Sequence, residues 1–176
     1  MRVLRGVDVR QKGSGNGGAT TAARGFQGRA RIGAFLLIFA LDSGKGFLAT
    51  SLPGLVGNVA HAALAPILAG LAAVVGHTFT PYLRFRGGKG VATSVGVLIG
   101  LEPIATGIAL VVFFVLYGTT RIVAVGSLGM AITLPVAVAV HATAPPAVFW
   151  LAVGLGVLII VRHRTNIVRL MRRDPT

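Results

Sequence analysis

Long apolar runs alternate with short polar loops rich in glycine and arginine along this chain. Apolar runs cover about residues 32–52, 58–75, 122–140 and 146–161, and each approaches the roughly 20 residues that cross a bilayer as a helix. A turn is expected at Pro53 and Gly54, between the first two runs. The pattern predicts an all-α fold, a polytopic bundle of membrane helices.

The apolar stretch 91–117 is interrupted at Glu102 and Pro103. A single crossing would place Arg121 and the basic C-terminus opposite the earlier basic loops, whereas two crossings keep them on one side. Because basic loops concentrate on the cytoplasmic side, we predict two elements, about 90–101 and 104–118. The first is short for a bilayer and is expected to be half-buried or re-entrant. Six membrane elements result, with both termini cytoplasmic.

Composition supports the membrane interpretation. Hydrophobic residues make up 54% of the 176 residues and charged residues only 12%, about half the usual share of a soluble domain. The net charge of +13 would suit a nucleic-acid binder, but the repeated apolar runs would not, so we expect no nucleic-acid partner. Sixteen of the 17 basic residues fall on the predicted cytoplasmic side. The chain has no cysteine, and its four acids lack a ligand spacing, so neither a metal nor another cofactor is expected.

The predicted organisation is a single integral membrane domain, 1–176. Its parts are a cytoplasmic N-terminal region (1–31), the bundle (32–161) and a cytoplasmic tail (162–176). Lys45 is the one basic residue inside a span, three positions after Asp42. Charges within a span usually face the bundle interior. A mutual ion pair between Asp42 and Lys45 and a supporting role at a site are equally favoured.

Three basic loops are candidates for anion chemistry. The first reads G-S-G-N-G-G at 13–18, where glycine amides can turn inward around an anion. The second reads R-G-G-K-G at 86–90, at the start of the short helix, where the free N–H groups and a lysine attract anions. A flexible linker and an ordinary membrane anchor are the simpler interpretations of these two loops. The candidate binding residues are Gly13, Ser14, Gly15, Asn16, Thr20, Arg24, Gly87, Gly88 and Lys89.

The third loop, R-H-R-T-N at 162–166, follows the last span. On a continuing helix His163 and Asn166 would face the same way, and His163 could move a proton near neutral pH. His77 begins the second basic loop and is expected to support it. Ser127 lies early in the fifth element. A serine there more often forms a packing contact or hydrogen bond between helices than it acts as a catalytic group. His141 is interpreted as a loop residue on the outer side, where Glu102 also falls.

The three loops together resemble the motifs of the PlsY-type acyl-phosphate:glycerol-3-phosphate acyltransferases. The resembling segments are GSGNGGATTAAR, GHTFTPYLRFRGGKGVAT and RHRTNIVRL, with GVDVR before them and a Gly126-Ser127 pair. The resemblance implies acyl transfer from acyl phosphate to the 1-hydroxyl of sn-glycerol 3-phosphate, without coenzyme A or metal, in a bacterial cell membrane. It implies phosphate-binding or catalytic positions at Ser14, Asn16, Thr20, Arg24, Lys89, Ser127, His163 and Asn166.

The family has seven membrane helices against the six predicted here, so this chain looks shortened before GVDVR. An organic-phosphate transporter and a truncated, inactive homologue are the alternatives. An intramembrane serine protease pairing Ser14 or Ser127 with His163 is a weaker one. The acyltransferase class that uses H-x-x-x-x-D is excluded, because none of the four histidines is followed by aspartate at that spacing.

Overall fold

The computed structural model describes residues 23, 26–55, 64–85, 87–141 and 145–172. A 3-10 turn, Pro81–Leu83, follows the second of seven helices in these ranges. The helices are α1 (Gly28–Leu55), α2 (Ala65–Thr78), α3 (Val91–Leu101), α4 (Pro103–Thr120), α5 (Val123–His141), α6 (Pro146–Arg162) and α7 (Arg164–Met171).

Four of these helical segments are long and apolar enough to cross a membrane: Gly28–Gly54, Ala65–Leu83, Pro103–Thr120 and Val123–His141. Helices α6 and α7 form a fifth candidate if the pair, bent by 57°, counts as one span. Their outward side chains are apolar, as Leu37, Val111 and Trp150 illustrate with more than half of each surface exposed. Lipid can cover such surfaces, so the prediction of an all-α, polytopic membrane protein is confirmed.

The chain breaks between α3 and α4 at Glu102, which confirms that 91–117 forms two elements rather than one. Helix α3 has 11 residues and is therefore only about 17 Å long. Its residues from Ala92 to Leu98 are buried. A helix too short to span the hydrocarbon can lie at membrane depth when protein surrounds it, and α3 meets that condition.

Glycines allow α1 and α3 to pack closely. A side chain at Gly46 would overlap the backbone of Thr93, and one at Gly96 would overlap the backbone of Ser43. Helix α1 also packs on α2, while α4 packs on α5 and α5 on α6. The largest fully buried apolar side chains of this core are Val74, Val97, Leu98, Met130, Leu134, Leu155 and Ile159.

Several helix boundaries differ from the sequence prediction, including the start of the first helix at Gly28 rather than about 32. No turn forms at Pro53 and Gly54, because α1 continues to Leu55. Pro53 lies in the last helical turn, and its missing N–H removes one backbone hydrogen bond of α1. Helix α2 extends to Thr78 and therefore includes His77. The last span does not continue past Arg162, since the chain bends at His163 before α7 begins.

Candidate functional site

The R-G-G-K-G loop is shaped by the ends of the two helices that it connects. After the 3-10 turn, Arg84 and Phe85 take left-handed backbone angles, with φ of 51° and 61°, which reverses the chain. The amide of Gly87 then donates to the carbonyl of Thr78 at 3.1 Å, closing the loop onto the end of α2. Gly90, with φ of 81°, directly precedes α3. The loop therefore delivers Lys89 to the N-terminus of a buried helix.

Lys89 joins the second basic loop to the third. Its Nζ donates to the Oδ1 of Asn166 at 2.5 Å, across 77 positions of sequence. Asn166 lies on α7, and Lys89 closely precedes the start of α3. The amide oxygen accepts from the ammonium group without cancelling its charge, so this contact positions a cation rather than neutralising it.

His163 lies at the bend between α6 and α7, outside both helices, and is only 3% exposed. Burial and, second, the nearby charge of Lys89 lower the pKa of His163 to about 4, although the hydrogen bond to the carbonyl of Ile159 opposes both. The imidazole is therefore neutral at pH 7. Its Nδ1 lies 2.8 Å from the Ile159 carbonyl oxygen, which can only accept, so Nδ1 carries the proton. Nε2 is left as the basic nitrogen.

Arg162, the residue before His163, contacts the same glycine loop. Its Nη2 donates to the carbonyl oxygens of Gly87 at 3.1 Å and Gly88 at 3.2 Å. The guanidinium also lies over the ring of Phe79, 5.6 Å from its centroid. Arg162 could not be distinguished from the sequence, because an arginine at the end of a membrane span is also expected from the positive-inside rule alone.

A second cluster supports the loop from α1 and α2. Lys45 Nζ donates to Asp42 Oδ1 and to His77 Nδ1, both at 2.6 Å, so the predicted ion pair of Asp42 and Lys45 forms. The ring of His77 lies where a side chain on Gly88 would stand. His77 therefore connects this ion pair to the R-G-G-K-G loop, and its supporting role at the site stays a prediction.

The remaining predicted site residues divide into two groups. Ser127 is buried on α5 and donates to the Val123 carbonyl of its own helix at 2.9 Å. The first-loop candidates all lie outside the described residues: Gly13, Ser14, Gly15, Asn16, Thr20 and Arg24. Lys89, His163 and Asn166 are thus the predicted catalytic residues that the structure brings together.

The opposite end of the bundle carries a different pair. Glu102, between α3 and α4, is 6% exposed, and its Oε2 lies 3.3 Å from Nδ1 of His141. His141 is the last residue of α5 rather than a loop residue, which corrects the sequence prediction. Within the described ranges, no group of three or more His, Cys, Asp or Glu side chains could hold a metal ion.

The fold and the site together define a polytopic membrane protein with lysine, arginine, asparagine and a neutral histidine gathered at one end. A family model described as "Glycerol-3-phosphate acyltransferase" matches residues 1–173. A glycerol-3-phosphate acyltransferase of Anaeromyxobacter sp. (strain Fw109-5) is 43% identical over 175 residues, covering 98% of this chain and 84% of the relative. A glycerol-3-phosphate acyltransferase of Bacillus cytotoxicus is 42% identical over 169 residues, covering 96% and 80%.

Two crystal structures of PlsY (YgiH), described as an integral membrane glycerol 3-phosphate acyltransferase, share this fold. The glycerol 3-phosphate form superposes with a TM-score of 0.85 at 34% identity, covering 98% of this chain and 83% of PlsY. The lysophosphatidic acid form gives a TM-score of 0.81 at 33% identity, with the same coverage. The chain belongs to the glycerol-3-phosphate acyltransferase family. It is an acyltransferase that acts on glycerol 3-phosphate, as the resemblance predicted.

Proposed function

We propose that the acyl donor is an acyl phosphate and that the reaction takes place at the Lys89, His163 and Asn166 end of the bundle. The products are then 1-acylglycerol 3-phosphate and inorganic phosphate. The main support is the contact of Lys89 with Asn166 at 2.5 Å, next to an imidazole that Lys89 helps to keep neutral. A cation and a neutral base at one place are what a reaction between two phosphorylated substrates needs.

Charge stabilisation is the first requirement. Glycerol 3-phosphate and acyl phosphate both carry negative charge, and their phosphates repel each other. Lys89 supplies a full positive charge, and the N-terminus of α3 supplies free N–H groups beside it. Ser14, Asn16, Thr20 and Arg24 stay predicted contributors from the first loop. Such a site gains most of its rate enhancement by holding the two anions close together in a reactive orientation.

The second requirement is removal of a proton. The oxygen of the 1-hydroxyl attacks the acyl carbonyl carbon, the bond from that carbon to the phosphate oxygen breaks, and phosphate leaves with the electron pair. We assign Nε2 of His163 as the acceptor of the hydroxyl proton. A phosphate oxygen is the competing acceptor. Acyl phosphate is a mixed anhydride with a good leaving group, so no covalent enzyme intermediate is required.

A pKa near 4 makes His163 a weak base before substrate arrives. Burial is the main cause of this low pKa, and the positive charge of Lys89 is the second. A phosphate bound at Lys89 offsets the second cause, so substrate binding raises the pKa of the imidazole. The base therefore becomes effective when the anions are in place. In this proposal Asn166 keeps Lys89 in position for both roles.

We further propose that the protein lies in a bacterial cell membrane with its site and both termini in the cytoplasm. The support is the concentration of basic residues in the loops at one end of the spans, which is typical of cytoplasmic loops. Apolar side chains on the outer faces of the helices, including Leu41, Ile104 and Val136, are well exposed and suit contact with lipid. Water-soluble glycerol 3-phosphate then enters from the cytoplasm, and the acyl chain stays in the bilayer.

The direct test uses purified protein reconstituted in phosphatidylcholine vesicles with labelled glycerol 3-phosphate. Acyl phosphate and acyl-coenzyme A are supplied separately, and labelled product and inorganic phosphate are both measured. We expect product only with acyl phosphate, in equal amounts with phosphate. Product from acyl-coenzyme A alone would overturn the donor assignment. Uptake of label without product would favour the transporter alternative.

Lys89→Met tests the location of the site in the same assay. The variant loses the charge but keeps most of the side-chain volume, so we expect the KM for glycerol 3-phosphate or acyl phosphate to rise about tenfold or more, because hydrogen bonds from charged groups are the strong ones. Arg172→Met, which removes an exposed cation just after α7, is the matched control and should change KM less than about twofold, since an exposed charge contributes little. Equal effects of the two substitutions would argue against the site.

A further inference from the structure

We infer that Arg162 is a positioning residue for acyl transfer, which holds the carbonyl groups of Gly87 and Gly88 so that the amides of this loop face the bound phosphate. The inference rests on the proposed phosphate-binding role of the R-G-G-K-G loop. It concerns a residue to which neither the motif interpretation nor the proposed chemistry gives a role.

The first observation is the pair of contacts between Arg162 and the loop. One terminal nitrogen, Nη2, donates to two successive carbonyl oxygens, at 3.1 Å for Gly87 and 3.2 Å for Gly88. A nitrogen with two hydrogens can satisfy both acceptors at once. Both carbonyl groups of the double glycine are therefore directed to the same side of the loop.

Peptide geometry gives the consequence. In a trans peptide the C=O and the following N–H point in opposite directions. Carbonyls of Gly87 and Gly88 that face Arg162 therefore direct the N–H groups of Gly88 and Lys89 away from it. Successive N–H groups on one side of a loop form a concavity that suits an anion. Arg162 thus selects one orientation of two peptides that glycine alone would leave free to rotate.

The second observation is the packing that locates the guanidinium. The guanidinium lies over Phe79, with 5.6 Å between its central carbon and the ring centroid, and Phe79 directly follows α2. The ring of His77 fills the space next to Gly88. The double glycine therefore contacts both Arg162 and His77, which is more contact than a lipid-facing anchor requires.

A comparison within the tail separates Arg162 from its neighbours. Arg164 and Arg172 are exposed, as expected for residues that meet water or lipid headgroups. Arg162 is partly buried and its guanidinium donates to backbone carbonyls of another segment. Arg164 is therefore a matched control that differs from Arg162 in contacts rather than in chemical type.

The experiment compares Arg162→Met and Arg162→Lys with Arg164→Met and Lys89→Met, in the full chain reconstituted in vesicles. Steady-state KM for both substrates, kcat and the inhibition constant for inorganic phosphate are measured, together with the thermal midpoint in detergent. Arg162→Met should raise KM and the phosphate inhibition constant about tenfold or more, since two hydrogen bonds from a charged donor are lost. Arg162→Lys retains a donor but loses the stacking on Phe79, so a rise of only a few fold is expected.

The outcomes separate positioning from folding and from the proposed function. A loss of kcat with unchanged KM and phosphate inhibition, accompanied by a lower thermal midpoint, would mean that Arg162 only stabilises the fold, and the inference fails. Equal effects of Arg162→Met and Arg164→Met would reduce Arg162 to an anchor and overturn it too. If Arg162→Met leaves KM unchanged while Lys89→Met raises it, the inference fails and the proposed site survives. If neither changes KM, the proposed site itself is wrong.

Discussion

The two ends of this bundle hold charged side chains in different ways. At the Lys89 end, Lys89 is held by the Asn166 amide and Arg162 by two glycine carbonyls, all neutral oxygens, while Lys45 nearby is paired with Asp42. At the far end, the buried carboxylate of Glu102 lies against a histidine, His141. The first arrangement orients positive charge, whereas the second gives a buried acid a partner that can neutralise it.

This difference distinguishes a site from a structural contact. A cation held by neutral acceptors keeps its charge and can still attract an anionic ligand. The buried carboxylate of Glu102 already has a hydrogen-bond partner in His141, so it does not need a bound ligand. We therefore expect substitutions at the Lys89 end to change kinetics, and substitutions at the Glu102 end to change stability.

The largest expected effect is that of His163→Ala, which removes the assigned base. A positioned general base typically contributes about 10²–10⁴-fold, so kcat should fall by that range, and the loss of a buried ring should also lower the thermal midpoint by a few degrees. Activity of reconstituted protein and a melting curve in detergent provide the measurement. Near-normal kcat would remove His163 from the mechanism and leave a phosphate oxygen as the acceptor.

Gly88→Ala should have the next largest effect. The added methyl group would overlap the ring of His77, which Lys45 holds from its other side, so the loop must move. A displacement on the order of 1 Å can cost about 10²-fold in rate, and we expect kcat/KM to fall at least about tenfold. Gly76→Ala is the matched control, because no atom lies within 4 Å of its added carbon. A similar loss in both variants would mean that the effect does not come from the contact between residue 88 and His77.

The titration of His163 tests whether burial and the charge of Lys89 keep this imidazole neutral. With a pKa of about 4, His163 should remain neutral from pH 7 to about 5 in ¹⁵N-histidine NMR spectra. The pKa should rise in Lys89→Met, since a repelling positive charge is removed. Because the pKa in the folded state is below that in the unfolded state, this group lowers stability as pH falls from about 6.5 to about 4. Titration near 6.5 in the folded protein would contradict the burial of the ring.

The smallest kinetic effect is expected for Glu102→Gln at the far end. Glutamine can still accept a hydrogen bond from His141, so a loss of about 1 kcal/mol and a thermal midpoint lower by about 2–4 °C are expected. KM and kcat should stay within about twofold of the parent protein, because this pair lies away from the proposed site. A kinetic defect as large as that of Lys89→Met would remove the distinction between the two ends.

Much of the architecture was predictable because it follows from local properties of the chain. Apolar length identified the membrane helices, and the Glu102-Pro103 interruption together with the basic loops predicted the division into α3 and α4. The bend at His163 and the continuation of α1 through Pro53 were not predictable in this way. Each depends on whether the surrounding helices supply packing that offsets an interrupted backbone hydrogen-bond pattern.

At the candidate site, local patterns pointed to Lys89, His163 and Asn166 but not to their geometry. Arg162 was indistinguishable from a membrane anchor, since a positive charge at the end of a span is expected with or without a further role. His77 could be assigned a supporting position, yet its contact with Gly88 depends on how α2 and the loop pack together.

The amino-acid sequence alone determined which segments enter the bilayer and where positive charge collects, because transfer to lipid depends on each segment's own side chains. The tertiary structure decided which cation meets which acceptor: Lys89 with Asn166, and Arg162 with the double glycine. These partners are more than 70 positions apart. Only the packing of α2, α3, α6 and α7 brings them within hydrogen-bonding distance.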